Sequence, residues 1–135
     1  MPEGMTSVGT QAFQYCYFLE NASWPATVAT IPSECFEYCY NLRTFTIPEG
    51  VTQINKSAFK SCRQFNARFP QSLKTIGYSA FAYSGIDRLI LPESISVNNS
   101  AFEYCSNLVY AEFPTSYSNY NPGSDYRSEE RRVGK

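Results

Sequence analysis

The chain of 135 residues contains no histidine. This absence excludes a Ser-His-Asp triad, a Cys-His nucleophile and zinc sites that need histidine ligands within these residues. The 11 lysine and arginine residues nearly balance the 12 aspartate and glutamate residues, and the formal net charge is −1. Without an excess of positive charge, the chain is not predicted to bind nucleic acid or an anionic membrane surface.

Long apolar runs are also missing. No stretch of 18 apolar residues occurs, so we predict no membrane insertion, and the first residues lack the basic and apolar regions of a signal peptide. Aromatic residues are abundant instead, at 16% of the chain, with 11 tyrosines and 10 phenylalanines. Because each ring can bury more than about 100 Å², we predict a packed core rather than a disordered chain.

A repeat of 21 to 23 residues runs through the sequence. Its most regular positions are a proline and a phenylalanine that stand ten or eleven residues apart. The prolines are Pro2, Pro25, Pro48, Pro70 and Pro92, and the phenylalanines are Phe13, Phe36, Phe59, Phe81 and Phe102. A single unit cannot bury its apolar side alone, whereas stacked units form a continuous core. The period therefore predicts a solenoid of about five coils.

Within each unit two segments have a recognisable pattern. Residues 42–47 and 108–113 fit L-x-x-L-x-L, in which apolar and polar side chains alternate as in a short strand with one buried face. The Ala-Phe-x-x-Cys segment suits a single helical or 3₁₀ turn with Phe and Cys pointing inward. We predict a solenoid of the leucine-rich-repeat type with short parallel strands, in which the five phenylalanines stack about 4.8 Å apart.

Residues 47–54, with the sequence IPEGVTQI, and residues 57–62, SAFKSC, resemble the BspA-like type of leucine-rich repeat. This family occurs in surface proteins of bacteria and of some parasitic protists, and the resemblance covers residues 2–116. Its members are often cell-surface or secreted adhesins. The resemblance therefore implies a surface or extracellular location and binding of a protein, such as a host or matrix protein, or of a glycan. The third unit departs from the pattern, with Phe65 in place of leucine and one residue fewer before Pro70. The fourth has Ser84 in place of cysteine and a shortened link at residues 84–86. These shifts affect the local register but not the fold.

The repeats occupy residues 1–116 in this interpretation, and both ends look truncated. Residues 2–16 align with residues 48–62, so Met1 falls at the end of a strand, and the natural start is expected upstream. Residues 117–126 are interpreted as the start of a sixth repeat. Residues 127–135 resemble a translated DNA-sequencing adapter and are interpreted as a non-native tail; a genuine charged disordered tail is the alternative.

Cysteines recur at one position of the repeat, at Cys16, Cys39, Cys62 and Cys105, while Cys35 replaces a recurring alanine. Parallel side chains about 4.8 Å apart fit the geometry of a disulfide poorly. We therefore expect free, buried thiols that act as small apolar groups, and no metal site. No catalytic residues converge in the repeat, so neither an enzyme nor a cofactor is predicted.

The polar positions of the strands are the predicted binding surface, because they point away from the core on the concave side of such solenoids. They are Asn21, Ser23, Thr44, Thr46, Asn66, Arg68, Arg88, Ile90, Tyr110 and Glu112. A competing surface is the row of tyrosines before the cysteine position, Tyr15, Tyr38, Tyr83 and Tyr104. These rings can also be read as a cover for the edge of the core.

The sequence leads to two hypotheses about function. The first is a non-enzymatic interaction or adhesion module of a larger surface or secreted protein, which binds protein or glycan through the concave strand face. The second is a structural spacer in a repeat array, with no binding site of its own. We also expect the uncapped terminal coils to associate end to end.

Overall fold

The computed structural model describes residues 4–98, 100–113 and 131–133 and shows a solenoid of stacked coils. We number the coils one to five after their phenylalanines, from Phe13 to Phe102. Successive coils place equivalent residues next to each other, and the buried apolar residues of all five coils belong to one continuous core. The predicted fold class is confirmed. The proposed sixth repeat at 117–126, and the tail except for residues 131–133, lie outside the described residues.

Two parallel sheets run along the solenoid. The strands are β1 (Thr30–Ile31), β2 (Gln53–Ile54), β3 (Thr75–Ile76), β4 (Arg88–Ile90), β5 (Ser96–Val97), β6 (Tyr110–Phe113) and β7 (Arg131–Val133). The first sheet has the order β1-β2-β3-β5 and pairs Ile31 with Ile54, Ile54 with Ile76, and Ile76 with Val97. The second has the order β4-β6-β7.

The predicted L-x-x-L-x-L strands form the second sheet in coils four and five, where Leu89 pairs with Ala111. Coils one and two have only an isolated bridge between Asn21 and Thr44 at this position. Residues 65–70 of coil three, which are one residue short, form no strand. The first sheet was not predicted, because strands of two residues are too short to show a period of two in the sequence.

The Ala-Phe-x-x-Cys segments are successive tight turns rather than the predicted helical or 3₁₀ turn. In coil three, the Cys62 N–H donates to the Phe59 carbonyl at 3.2 Å. The Phe59 N–H donates instead to Ala80 of the next coil at 2.8 Å. Ser57 and Ser61 have positive φ angles of 55° and 64°, a left-handed conformation that interrupts a right-handed helix. Alternate N–H groups thereby become available to the neighbouring coil.

A column of stacked phenylalanine rings runs through the core. Successive ring centroids lie 5.2, 5.3, 5.2 and 5.7 Å apart, and the planes deviate by 13° or less. Rings from other positions meet this column at angles between 35° and 88°. Phe45, for example, lies 5.1 Å from Phe36 at 60°. The predicted stack is confirmed, with a spacing slightly larger than the strand separation.

Two glycines allow the backbones of neighbouring coils to come close together. A Cβ atom on Gly85 would lie 2.6 Å from the Arg63 carbonyl oxygen, and one on Gly77 would lie 2.7 Å from the Lys56 nitrogen. Both contacts are with backbone atoms, which cannot move without shifting a whole coil. A side chain at either position therefore conflicts with the spacing that the ring column sets.

The thiols form a second column in the core. Cys39 donates to the Phe13 carbonyl at 3.1 Å, Cys62 to that of Phe36 at 3.0 Å, and Cys105 to that of Phe81 at 3.1 Å. All five cysteines are free thiols. In coil four Ser84 occupies the position, and its hydroxyl lies 3.4 Å from the Cys105 sulfur. Cys39, Cys62 and Cys105 thus each donate to a backbone carbonyl of the coil before them.

Burial also changes the acidity of these thiols. It raises the pKa of Cys35 to about 12 and that of Cys39 to about 11, and it raises the pKa of Cys62 well above the usual range. The folded state therefore favours the neutral thiol. This contribution to stability is fully present below the pKa of unfolded cysteine, about 8.5, and is lost as the pH rises through the folded-state pKa values.

Replacement of Phe59 by alanine should lower the free energy of unfolding by about 3–5 kcal/mol, because it opens a cavity in the middle of the ring column. Phe18, whose residue surface is 87% exposed, is the matched control, and its alanine variant should change stability by less than about 0.5 kcal/mol. Urea unfolding followed by circular dichroism measures both. Equal effects of the two substitutions would contradict the stacked core.

Gly85→Ala should cost about 1–3 kcal/mol, because the added methyl group overlaps the backbone of coil three. Gly9→Ala is the control, since a Cβ atom there has no neighbour within 4 Å. Thermal unfolding of the two variants should show a lower midpoint for Gly85→Ala alone. A Gly85→Ala protein as stable as the parent would show that coils three and four are packed less closely than in this structure.

The partly exposed Cys16 should react first with a thiol reagent at pH 8, and the four buried cysteines should react much more slowly. The measurement is a time course of labelling with 5,5′-dithiobis(2-nitrobenzoic acid), with and without denaturant. The denatured, unreduced protein should give all five thiols. A smaller number would show that some cysteines are oxidised.

Candidate functional site

The ten residues of the predicted binding surface lie on the outer side of the strand segments, and we call this surface the strand face. Its residues are exposed or half-buried, while those between them, such as Phe45, Ala67 and Leu89, are buried in the core. The register joins neighbouring coils directly: Arg88 lies beside Tyr110, and Ile90 lies beside Glu112. Asn21 and Thr44 pair in the same way between coils one and two, whereas coil three is joined to coil four through Asn66 and Arg68, which contact Asp87.

The part of the strand face in coils one and two carries small polar groups. Asn21 pairs with Thr44 through a parallel bridge, and Ser23 and Thr46 are exposed beside them. These side chains offer hydrogen-bond donors and acceptors but little apolar contact area. This part is suited to supporting a contact rather than anchoring it.

Coil three adds a polar network at the centre of the face. Arg68 donates to the Asn66 amide oxygen at 2.8 Å and forms an ion pair with Asp87 at 3.4 Å. The same Asn66 oxygen accepts the Asp87 N–H at 3.1 Å, in place of a strand hydrogen bond. Partial burial opposes ionisation of Asp87, but hydrogen bonds from Asn66 and the charge of Arg68 outweigh it and lower its pKa. The guanidinium of Arg68 is thereby held in position.

A cavity of about 320 Å³ lies next to this network, between the strand segments of coils two and three. Thr46, Asn66 and Arg68 of the strand face line it, together with Phe45, Phe69 and the prolines that follow the two segments. Glu49 borders the cavity and accepts the N–H groups of Gln71 and Ser72 at 2.8 and 3.2 Å. The cavity combines apolar walls with a fixed cation and a fixed carboxylate.

Coils four and five carry the aromatic and charged cluster of the face. The Arg88 guanidinium lies over the Tyr110 ring, with Cζ 4.3 Å from the ring centroid. The Tyr110 hydroxyl lies within hydrogen-bond distance of the Glu112 carboxylate, at 3.4 Å. Ile90, which is 44% exposed, adds aliphatic surface next to this pair. Arginine and tyrosine are the residue types that most often dominate binding energies at interfaces.

The competing tyrosine row also lies at the surface. Tyr15 stacks on Tyr38 at 5.2 Å and Tyr83 on Tyr104 at 4.8 Å, and Ser61 interrupts the row in coil three. A second column, Tyr17 on Tyr40, was not singled out in the sequence. The signal was present, because these two tyrosines keep the same 23-residue period.

Among the described residues, no group of three or more metal-ligating side chains is placed to hold a metal ion. Over the same part of the chain, no helix has the length and hydrophobicity needed to cross a membrane.

Comparisons with known proteins agree with this architecture. Residues 6–124 match the family described as BspA type leucine-rich repeat region, in six copies. No curated protein is significantly similar to the chain. A leucine-rich repeat protein from Bacteroides ovatus matches with a TM-score of 0.78 and 33% identity over 82% of this chain. The leucine-rich repeat protein of T. pallidum matches with a TM-score of 0.77 and 26% identity over 96% of this chain.

The chain spans only part of these two proteins, 30% of the first and 66% of the second. The family match covers most of the chain, and the structure repeats one coil with stacked phenylalanines and parallel strands. The chain therefore belongs to the BspA-type leucine-rich repeat family, whose repeats generally serve as protein-interaction modules rather than enzymes.

Proposed function

We propose that the chain is a non-enzymatic interaction module of a larger surface or secreted repeat protein, and that it binds a protein or a glycan through the strand face. The observation that carries this proposal is that the ten strand-face residues lie outside the core, exposed or half-buried, in all five coils. Their neighbours along the strands are buried, so the strand-face side chains are available for contact with a partner. Extended surfaces of this kind are what solenoids use for binding.

The chemistry of the strand face is graded along the solenoid. Small polar side chains in coils one and two give way to the Arg68 network and its cavity, and then to the Arg88–Tyr110 pair. A partner would find its strongest contacts in coils three to five, because aromatic and guanidinium groups there combine apolar area with hydrogen bonding. The small polar groups of coils one and two would add specificity but would displace few water molecules from the contact surface.

The proposed surface location is supported by the family, since BspA-like repeats are typical of bacterial surface proteins. The two similar structures are longer than this chain, which agrees with the proposal that the chain is a segment of a longer array. In such an array the rigid ring column would hold the strand face at a fixed orientation relative to the neighbouring repeats.

The test uses the full chain against arrays of purified extracellular-matrix proteins and of glycans. The parent protein should bind at least one component. Replacing Arg88 and Tyr110 together by alanine should weaken that binding by about 30-fold or more, which corresponds to roughly 2 kcal/mol, because the main aromatic and charged contacts are lost. Surface plasmon resonance measures the affinity, and circular dichroism confirms that the variant is folded.

A matched control is the double substitution of Lys74 and Tyr78 by alanine. Both residues are exposed, and they provide one cation and one tyrosine outside the strand face. This variant should bind like the parent. Equal loss in both double variants, or no loss in either, would refute the strand face. No binding by the chain, together with binding by the longer natural protein, would favour the spacer hypothesis.

A further inference from the structure

Coils one and two carry two columns of tyrosine rings side by side. Tyr15 and Tyr38 form the first column and Tyr17 and Tyr40 the second, each stacked at 5.2 Å. The columns also touch each other, since Tyr15 lies 6.2 Å from Tyr17 and Tyr38 lies 6.1 Å from Tyr40. In these coils every ring of the first column has a second ring beside it, two residues later in the sequence.

Coils four and five keep the first column but lack the second. Tyr83 and Tyr104 stack at 4.8 Å with planes 16° apart, as their counterparts do in coils one and two. The positions two residues later are occupied by Gly85 and Ser106, and neither carries a ring. Gly85 cannot be replaced by a larger residue without a clash, because a Cβ atom there would lie 2.6 Å from the Arg63 carbonyl oxygen.

The missing rings leave a cavity of about 250 Å³. Its walls are Arg63, Tyr83, Ser84, Tyr104, Ser106 and Asn107. This volume is below the roughly 300–1,000 Å³ of pockets that hold whole small molecules, so it corresponds to a side chain more than to a free ligand. The lining offers two aromatic rings, one guanidinium and several hydrogen-bonding groups.

Arg63 connects the cavity to the second tyrosine column. Its Cζ atom lies 4.8 Å from the centre of the Tyr40 ring, and the same residue lines the cavity. A planar guanidinium can stack on aromatic rings, and the pair is stabilised by the attraction between the cation and the ring. A ring that entered the cavity would therefore meet the Arg63 side chain and extend the series Tyr17, Tyr40, Arg63.

We propose that this cavity receives an aromatic side chain, tyrosine above all, from a partner polypeptide. Coil two provides the template, because Tyr40 there packs beside Tyr38 and against Arg63. An incoming tyrosine would take the position of Tyr40, with Tyr83 in place of Tyr38 and with the same Arg63. Ser106 and Asn107 supply polar groups for the phenolic hydroxyl. The cavity shares no residue with the strand face, so this second contact surface is independent of the function proposed above.

The experiment titrates the ¹⁵N-labelled full chain with the peptide Gly-Gly-Tyr-Gly-Gly and follows amide chemical shifts. Saturable shifts should be centred on Tyr83, Ser84, Tyr104 and Ser106, with a Kd in the millimolar range that is typical of a single side chain. The matched peptide with alanine in place of tyrosine should give no saturable shift. N-acetylglucosamine serves as a third probe, because a sugar ring also stacks on tyrosine.

Two variants and a control separate this cavity from other surfaces. Ser106→Tyr supplies the missing ring from the chain itself. It should weaken binding of the tyrosine peptide by about tenfold or more, because the cavity is then filled. Ser94→Tyr adds the same side chain at an exposed position outside the cavity and should leave the Kd unchanged. Arg63→Ala should weaken binding about threefold through loss of the guanidinium.

Equal shifts with the alanine peptide would overturn the proposal, as would saturable binding of N-acetylglucosamine without binding of the tyrosine peptide. An unchanged Kd in a folded Ser106→Tyr protein would do the same. Should Ser106→Tyr fail to fold, the Arg63→Ala titration decides, and an unchanged Kd there contradicts the proposed stacking.

Discussion

Ring stacking between successive coils is the interaction on which the rest of this structure depends. Phenylalanine centroids 5.2 to 5.7 Å apart set the distance between coils throughout the core. The same spacing permits the strand ladders, the backbone hydrogen bonds between turns and the thiol contacts to carbonyl groups. It also leaves no room for a side chain at Gly77 or Gly85. Each coil is stable because its neighbours repeat its contacts.

Two cavities that could recognise a partner lie beside irregular repeats. The strand segment of coil three is one residue short, and a cavity of about 320 Å³ lies beside it. The link after Tyr83 in coil four is also short, and a cavity of about 250 Å³ lies where the second tyrosine column would continue. Because the core column holds the coils at a fixed spacing, missing residues are not absorbed by closer packing. They remain as spaces at the surface.

The two proposed contact surfaces differ in character. The strand face is long and graded, with hydrogen-bonding groups at one end and the Arg88–Tyr110 pair at the other. The cavity beside Tyr83 and Tyr104 is small, about 250 Å³, and is bordered by two stacked rings. Both are held by the same rigid core, so a partner that contacts them together would do so without ordering the chain, which lowers the entropic cost of binding.

The sequence by itself determined the repeat, the solenoid, the phenylalanine column and the outward positions of the strand face. These features depend on spacing, and a period of 21 to 23 residues is visible in one sequence. Only the tertiary structure showed the first parallel sheet, the left-handed turn residues such as Ser61, and the contact between Arg63 and Tyr40. The sheet and the Arg63–Tyr40 contact arise between coils, from residues more than 20 positions apart. The conformation of Ser61 directs its N–H to the Ala82 carbonyl of the next coil at 2.7 Å. Their geometry depends on how the coils stack, which local sequence patterns do not encode.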